Sequence, residues 1–533
     1  MSGAAPLRFG IMCRGTTFPA WQARSVRDLL ASDGVRPALL VVEDGTTPLR
    51  RDRRDLLRFA EERLRTSAGA PVDLADELGG VPTLRCRPGT AFDGSDLAAI
   101  RDHGLDFILR FAFDALEGDV ASAAGFGVWS FDHNVDGVDG APPCFREVDR
   151  GDPVTRASLL RLTGRPGERI VLHEGFFRTI PHSYERTWDS VAMGSADWPA
   201  RVCAEIRNGR TEWPSSASSE PPRRPTPAQT AAFRRRTARR RFRVRVRGRT
   251  RRTEWNVGIV EAPISSFLDR SSPPAVRWLP RTWGDQSLAD PFPLPSAGGP
   301  AMLAEAIDHA SRIGRIVLVE SDPAPRLPTA LDVSEHASYP YVVEQDGALY
   351  CVPETARAQR VWLFRSSDSG RTWERVATLI DGFACVDPTV FRHEGRWWLF
   401  GTDRDRGANT KLHAWLAPEL TGPWSPHPLN PLKTDVRSSR PAGTPFVHDG
   451  RLFRPAQDGS RGYGTRVVIN EILRLSPTEF EERAVSTVQP DRRGPWPDGL
   501  HTLAAAGDTT LVDGRRDRLV WPWFGRAAGT RLR

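Results

Sequence analysis

Four times in the second half of the chain, an apolar strand, an acidic-glycine turn and a second apolar or aromatic strand follow one another. The segments are EQDGALYCVPE (344–354), RHEGRWWLFG (392–401), VHDGRLFRPAQD (447–458) and, more weakly, AGDTTLVDGRR (506–516). Their glycines, Gly347, Gly395, Gly450 and Gly507, stand 48, 55 and 57 residues apart. A period of that length, built from hairpins closed by D-G or E-G turns, is the mark of a propeller blade. Unrelated hairpins stacked in a sandwich are the competing reading, but sandwiches seldom keep such a period. With one earlier blade over about 253–325, the count is five, so residues 253–533 are expected to form an all-β five-bladed β-propeller.

The first 210 residues follow a different rule. LRFGIMC (7–13), ALLVVE (38–43) and LDFILRF (105–111) read as buried strands, and AWQARSVRDLLAS (20–32) and RDLLRFAEERLRT (54–66) as helices. Strands alternating with helices of this length predict an α/β domain on a parallel, Rossmann-type sheet over 1–210. Ligands of such sheets sit at the carboxyl ends of the strands.

Between the two lies a break in texture. Residues 211–252 are first Pro/Ser-rich and then strongly basic: 234–252 (RRRTARRRFRVRVRGRTRR) hold 12 arginines and no carboxylate. The formal charge of the whole chain is +8, so without this strip it is −4. The segment is expected to be a Pro/Ser- and Arg-rich linker, since long like-charge blocks repel and stay open. Contact with an anionic membrane surface or a polyprenyl-phosphate glycan is the second reading of the strip. Nucleic-acid binding ranks last, because nothing around it supplies base-reading or stacking elements.

Composition excludes further classes. Six cysteines at 13, 86, 144, 203, 351 and 385 are too scattered for a disulfide scaffold or a CxxC metal pair. The N-terminus has no secretory pattern, and no apolar run reaches a membrane span, so the chain is expected to be cytoplasmic. Only two of its 74 basic residues are lysine, a bias that GC-rich coding produces and that fits a bacterial source. Seventeen Trp against five Tyr is compatible either with sugar-stacking surfaces or with ordinary core packing.

In a propeller the innermost strands line one channel, so polar residues near successive blade starts converge on its mouth. These are Asp290 in SLADPF, Glu354 in VPET, Asp387 in CVDPTVF, Arg440 in SSRPAG, Gln457 and Asp458 in RPAQD, Glu471 in NEIL, and His501. Carboxylates around a funnel accept sugar hydroxyls in pairs, and an arginine among them can orient an anionic group. A polyhydroxylated ligand is therefore expected, without a metal.

LADPF (288–292) and VDPTVF (386–391) resemble the blade-entry motifs of glycoside hydrolase family 43 propellers. That resemblance implies Asp290 as general base and Asp387 as the carboxylate tuning a glutamic acid, with Glu354 and Glu471 as candidates for the acid. A closer resemblance, over about 253–510, is to the N-terminal propeller of glucosamine inositolphosphorylceramide transferases. It rests on SYPYVVEQDGALYCVPET (338–355), GRWWLFG (395–401), GPWSPHPLNP (422–431), RPAG (440–443), LFRPAQDGSRGYG (452–464), NEIL (470–473) and HT (501–502). It implies a carbohydrate, nucleotide-sugar or glycolipid ligand more firmly than it implies hydrolysis.

GLDFILRFAFDALEGDVASAAGFGVWSFDHN (104–134), GAPPCF (140–145), RGDPVT (150–155) and RLTGRPGERIVL (161–172) resemble the formyltransferase family. The resemblance implies 10-formyltetrahydrofolate as donor and an Asn, His and Asp at the site. The Asn position falls on Ser130 or Trp129, the His on His133 with Asp132 beside it, and the Asp on Glu168. Taken together, these features predict a protein of glycan or glycolipid assembly, in which a formyltransferase-like domain modifies an amino sugar and the propeller holds the glycan. The alternatives are a non-catalytic carbohydrate-binding protein with two degenerate domains, and glycoside hydrolysis by the propeller.

Overall fold

The computed structural model describes residues 5–44, 65–87, 92–113, 116, 118–134, 142–163, 168–217, 225–269, 274–280, 286–295, 301–311, 313–320, 327–331, 333 and 335–520. Most of the helix expected over 54–66 lies outside the described residues. The chain forms two compact units, Met1–Arg243 and Val244–Arg533.

The first unit is an α/β layer structure on one eight-stranded sheet. In spatial order its strands are Ser215–Ala217, Glu168–Arg178, Val154–Leu162, Val128–Phe131, Phe107–Arg110, Leu7–Cys13, Val35–Glu43 and Thr83–Cys86. Along Leu7–Cys13, Phe9, Ile11 and Cys13 point into one core while Met12 points into the other, which is why this segment is apolar at nearly every position. Phe9, Phe107 and Trp129 stack across three neighbouring strands with centroids 5.4 and 3.9 Å apart.

The sheet is mixed, which corrects the expectation of a parallel Rossmann-type layer. The last five strands in that order are parallel, but Val154–Leu162, Glu168–Arg178 and Ser215–Ala217 join antiparallel. Only residues 163–167 connect the first two of these, too few for the helical crossover that parallel pairing needs.

The linker expectation is also corrected. Residues Pro227–Thr250 form one helix, and the unit boundary falls within it. It starts with a reciprocal cap: Gln229 N–H donates to Thr226 Oγ1 at 3.2 Å and Thr226 N–H to Gln229 Oε1 at 2.8 Å, with Pro227 at the first helical position. Thr230, Phe233 and Thr237 are buried, and Phe233 stacks on Phe145 at 4.8 Å. Arg240 donates to the Val148 and Asp149 carbonyls, and Arg236 pairs with Asp149. Arginine is a good helix former, and this docking offsets the repulsion along the strip.

The second unit is a five-bladed propeller. Blade one is Gln286–Leu294, Ala301–Asp308 and Gly314–Val319; blade two runs Ser338–Gln345, Ala348–Glu354, Arg360–Ser366 and Trp373–Asp381. Blade three is Cys385–His393, Arg396–Asp403, Lys411–Ala417 and Ser425–Pro426, with Lys433–Thr434 added to its third strand. Blade four is Phe446–His448, Arg451–Gln457, Val467–Leu475 and Phe480–Val488. Blade five joins both ends of the unit: Leu503–Ala506 and Thr509–Leu519 pair with Arg251–Val260 and Arg277–Trp278. The strands Arg251–Val260 and Arg277–Trp278 thus belong to the last blade rather than beginning a first one.

The repeated turns are two-residue hairpin loops. Asp346-Gly347, Glu394-Gly395 and Asp449-Gly450 all have positive φ at both positions, the type I′ geometry that matches strand twist. Within blade four, the fully buried Arg454 donates to Glu482 through Nε at 3.0 Å and Nη2 at 2.7 Å, and Lys433 Nζ reaches the same carboxylate at 2.8 Å.

Candidate functional site

The propeller mouth is built on a repeated bulge. In blades one to three the innermost strand carries a residue with left-handed backbone followed by proline: Asp290-Pro291 (φ 49°), Tyr339-Pro340 (φ 45°) and Asp387-Pro388 (φ 49°). At each, the ladder to the second strand shifts register. Proline has no N–H to give a ladder, so a bulge is where an inner strand tolerates it, and the bulge re-aims the side chain before it.

Asp387 is the hub of one half of the mouth. Arg440 donates to it through Nε (2.6 Å to Oδ2) and Nη2 (3.2 Å to Oδ1), and Gln457 Nε2 donates at 2.7 Å. The Asp387 N–H donates to Glu354 Oε2 at 3.1 Å, and the remaining Arg440 nitrogen reaches Asn409 Oδ1 at 3.3 Å. Tyr339 receives the Gly443 N–H at 2.7 Å and shares a hydrogen bond with Thr389 at 2.9 Å, bracing the floor.

Asp513 organises the other half. Its carboxylate accepts the main-chain N–H groups of His501, Thr502 and Asp290 at 2.8, 3.1 and 3.2 Å. His501 Nδ1 lies 2.5 Å from Asp513 Oδ2 and 3.6 Å from Asp290 Oδ1. The Thr502 hydroxyl donates to Asp290 Oδ1 at 2.5 Å. Trp255 stacks on the imidazole with centroids 4.1 Å apart.

Burial of several carboxyl groups together sets their protonation. Glu354 is pushed up to about 8 by burial and then by the neighbouring Asp387. Burial raises Asp290 to about 6, partly opposed by His501. Glu305, on the second strand of blade one, is held well above its ordinary value by burial and then by Asp290, Glu354 and Asp387. Its place depends on Gly314, where a Cβ would lie 2.0 Å from Glu305 Oε1. For His501, burial works against the imidazolium, but Asp513 and Asp290 outweigh it and the net shift is upward. At neutral pH the mouth therefore offers carboxylic acids that donate beside carboxylates that accept.

Tyr463 roofs the mouth. It is 44% exposed, with the Arg440 guanidinium 5.0 Å and the His501 ring 5.1 Å from its centroid. Burial holds its hydroxyl well above the ordinary range, so the phenol end reaches inward while part of the residue stays open to solvent. An aromatic ring at the rim above buried carboxyl groups can take the apolar face of a sugar while its hydroxyls bond below.

The structure brings together Asp290, Glu354, Asp387, Arg440, Gln457 and His501 from the sequence-derived set. It does not bring in Asp458 or Glu471. Asp458 pairs with Arg466 Nε at 2.7 Å and accepts the Ser460 N–H at 2.8 Å, fixing the loop that carries Tyr463. Glu471 lies on the third strand of blade four, paired with Arg483 at 2.7 Å and Arg451 at 3.8 Å, so it is not the acid of this mouth. Arg440, expected to orient an anion, is already committed to Asp387 and Asn409.

Glu305, Asp513, Thr502, Tyr339 and Tyr463 belong to the mouth and were missed. The Asp-Pro signal that marks Asp290 and Asp387 recurs as Tyr339-Pro340, and a lone carboxyl in the apolar run MLAEAI marks Glu305. Among the described residues, Asp290, His501 and Asp513 present ligand atoms within 4.8 Å of one another, a group that could hold a metal ion. Two carboxylates and an imidazole suit a divalent cation, but only if it displaces the proton between His501 and Asp513.

The residues carrying the formyltransferase resemblance do not converge. Ser130 accepts from Arg110 at 2.8 and 3.1 Å, and Asp132, raised to about 6 by burial, accepts the Ser158 N–H. His133 is 6% exposed, bonded to Ser195 Oγ at 2.8 Å and packed among Trp21, Phe131 and Trp188. Glu168 falls beyond the opposite end of the strand pair: Arg169 pairs with Leu162, which pairs with Val128, whereas His133 follows Phe131. Strand rise alone separates the two by roughly 17–20 Å along the sheet. The buried ring and the distant carboxylate do not fit a 10-formyltetrahydrofolate site made from these residues.

Comparison with known proteins points to the propeller. Residues 314–495 match the family model described as glucosamine inositolphosphorylceramide transferase 1, N-terminal. Proteins of that name from Oryza sativa subsp. japonica and Arabidopsis thaliana are 31% identical over 202 residues and 33% over 171, covering 35% and 31% of this chain. The chain spans only 27% and 22% of the length of those relatives. Among solved structures, an exo-β-1,3-galactanase from Clostridium thermocellum (12% identity, TM-score 0.32) covers 44% of this chain and 67% of its own. A family 117 glycoside hydrolase from Zobellia galactanivorans (14%, TM-score 0.32) covers 53% and 96%. The second unit, as a five-bladed propeller, is thus similar in sequence to the N-terminal region of glucosamine inositolphosphorylceramide transferases.

Proposed function

We propose that this chain acts in glycolipid assembly, its propeller holding the sugar-bearing headgroup of a glycolipid or glycan at the mouth. The observation that carries this is the partly exposed Tyr463 ring over Arg440, above buried carboxyl groups of both protonation states. The neutral Glu354 and Glu305 donate to sugar oxygens, and the carboxylates accept from sugar hydroxyls. Because Arg440 is neutralised by Asp387, the sugar subsite disfavours the carboxylate of a uronic acid. The similarity to glucosamine inositolphosphorylceramide transferases supports a hexosamine-inositol headgroup as the first ligand to try. Calorimetric titration of the full chain with glucosaminyl-inositol phosphate, inositol phosphate and uronic-acid glycans tests this reading. Binding of the first alone is expected, and failure of the whole sugar panel to bind overturns it.

One observation favours a second reading, glycoside hydrolysis. Glu354 near 8 and Asp290 near 6 are the separated pair that an acid and a base require. Release of nitrophenol from aryl glycosides, abolished by Glu354→Gln and by Asp290→Asn, would establish it. Formyl transfer has no comparable constellation behind it, and no step is assigned to a folate donor. Transfer of labelled formyl from 10-formyltetrahydrofolate to an amino sugar would reinstate that expectation.

A further inference from the structure

The last turns of the helix Pro227–Thr250 differ from the rest of it. Residues 241–249 (RFRVRVRGR) are exposed at every position. Phe242 is 68% and Val246 41% exposed, although side chains of this kind are normally covered. Four residues apart, they lie on one face of the helix. The helical repeat sets Arg245 and Arg249 along one flank of that pair and Arg243 and Arg247 along the other. Among the described residues, none of these four arginines has an ion-pair or hydrogen-bond partner. The segment also holds no carboxylate. If extended, alternating Arg and apolar residues would make a two-faced strand; as a helix, Phe242 and Val246 make a short apolar ridge between two cationic rows, with the exposed Val244 on the far side.

We infer that this ridge seats the protein on an anionic lipid bilayer surface. Phe242 and Val246 would enter the acyl boundary while the flanking guanidinium groups, whose stems can lie along the interface, meet lipid phosphates. Free polyanions would satisfy the charge but give the apolar ridge nowhere to go. Nucleic acid would satisfy the charge too, yet one Phe supplies no stacking series.

The test uses the full chain and sedimentation with phosphatidylcholine vesicles, with and without phosphatidylserine. Binding is expected only to the anionic vesicles and should weaken with salt. Replacing Arg243, Arg245, Arg247 and Arg249 by Gln should lower partitioning by roughly two to three orders of magnitude. F242S/V246S should lower it about tenfold, with both variants retaining the circular dichroism of the parent. Because all six native cysteines are buried, a dye on V246C reports insertion independently, and a blue shift on anionic vesicles is expected. Equal binding to neutral vesicles, no binding, an unshifted dye, or a preference for duplex or single-stranded oligonucleotides unaffected by F242S/V246S overturns the proposal.

Discussion

Arg440 grips Asp387 through two nitrogens, at 2.6 and 3.2 Å, with the carboxylate 2% exposed. The pair ties the entry segment of blade four to the inner strand of blade three. Arg440→Ala leaves a buried carboxylate with Gln457 as its main side-chain donor. A loss of about 3–5 kcal/mol is expected in the propeller's unfolding transition. Arg440→Ala with Asp387→Asn should recover part of that loss, and guanidinium titrations of the three variants measure it.

Glu354 makes stability depend on pH. Its carboxyl moves from an ordinary 4.5 to about 8 on folding, so the folded state binds this proton more tightly. The stabilisation is complete below about pH 4.5 and is lost as pH rises through 8. Glu354→Gln, which cannot ionise, should flatten the fall in melting temperature between pH 5 and 8, and calorimetry at several pH values checks this. A slope unchanged in the variant would assign the dependence to other groups.

Tyr463 separates ligand binding from folding. Its ring packs on Arg440, His501 and Trp255 while part of the residue stays exposed, so Tyr463→Ala should cost only about 1 kcal/mol of stability. Loss of the stacking face should weaken glycan binding by roughly tenfold. Parallel melting and titration experiments distinguish the two effects.

Glu482 stands inside blade four between Arg454 and Lys433. Burial alone would raise its carboxyl, but the two cations outweigh burial and hold it below the ordinary range. Its contribution is therefore present above the unfolded pKa and lost as pH falls through the folded value. Arg454→Met strands the carboxylate with Lys433 and should cost about 3–5 kcal/mol at neutral pH. The deficit should shrink in acid, which denaturation at two pH values reveals.

The propeller was legible because its punctuation is local: each D-G or E-G pair needs positive φ at two successive positions, and only a tight hairpin asks for that. Asp290 and Asp387 were legible for a similar reason, since a proline inside an inner strand forces a bulge. Asp513 was hidden because its D-G pair resembles a turn, whereas the strand Thr509–Leu519 runs straight through it. Glu471 was misplaced because sequence order does not distinguish the second strand of a blade from the third. The helix over the arginine strip was announced by TPAQ, a cap with proline behind it, but a block of like charges without a carboxylate favoured an open linker. Whether Ser130, His133 and Glu168 would meet depended on register across three strands, and motif order carries no register.

Blade five has an implication for how the chain is made. Arg251–Val260 meets the short strand Arg277–Trp278 on one edge, but its full-length partner is Thr509–Leu519, about 250 residues later. While the ribosome is still adding blades, that early strand has an unpaired edge, and the ring cannot be clasped until the closing segment emerges. The α/β unit has no such wait, since its sheet is complete at Ala217. A stop codon upstream of Thr509 should therefore spare the first unit and leave the propeller an open, association-prone array, sensitive to protease along its entire length.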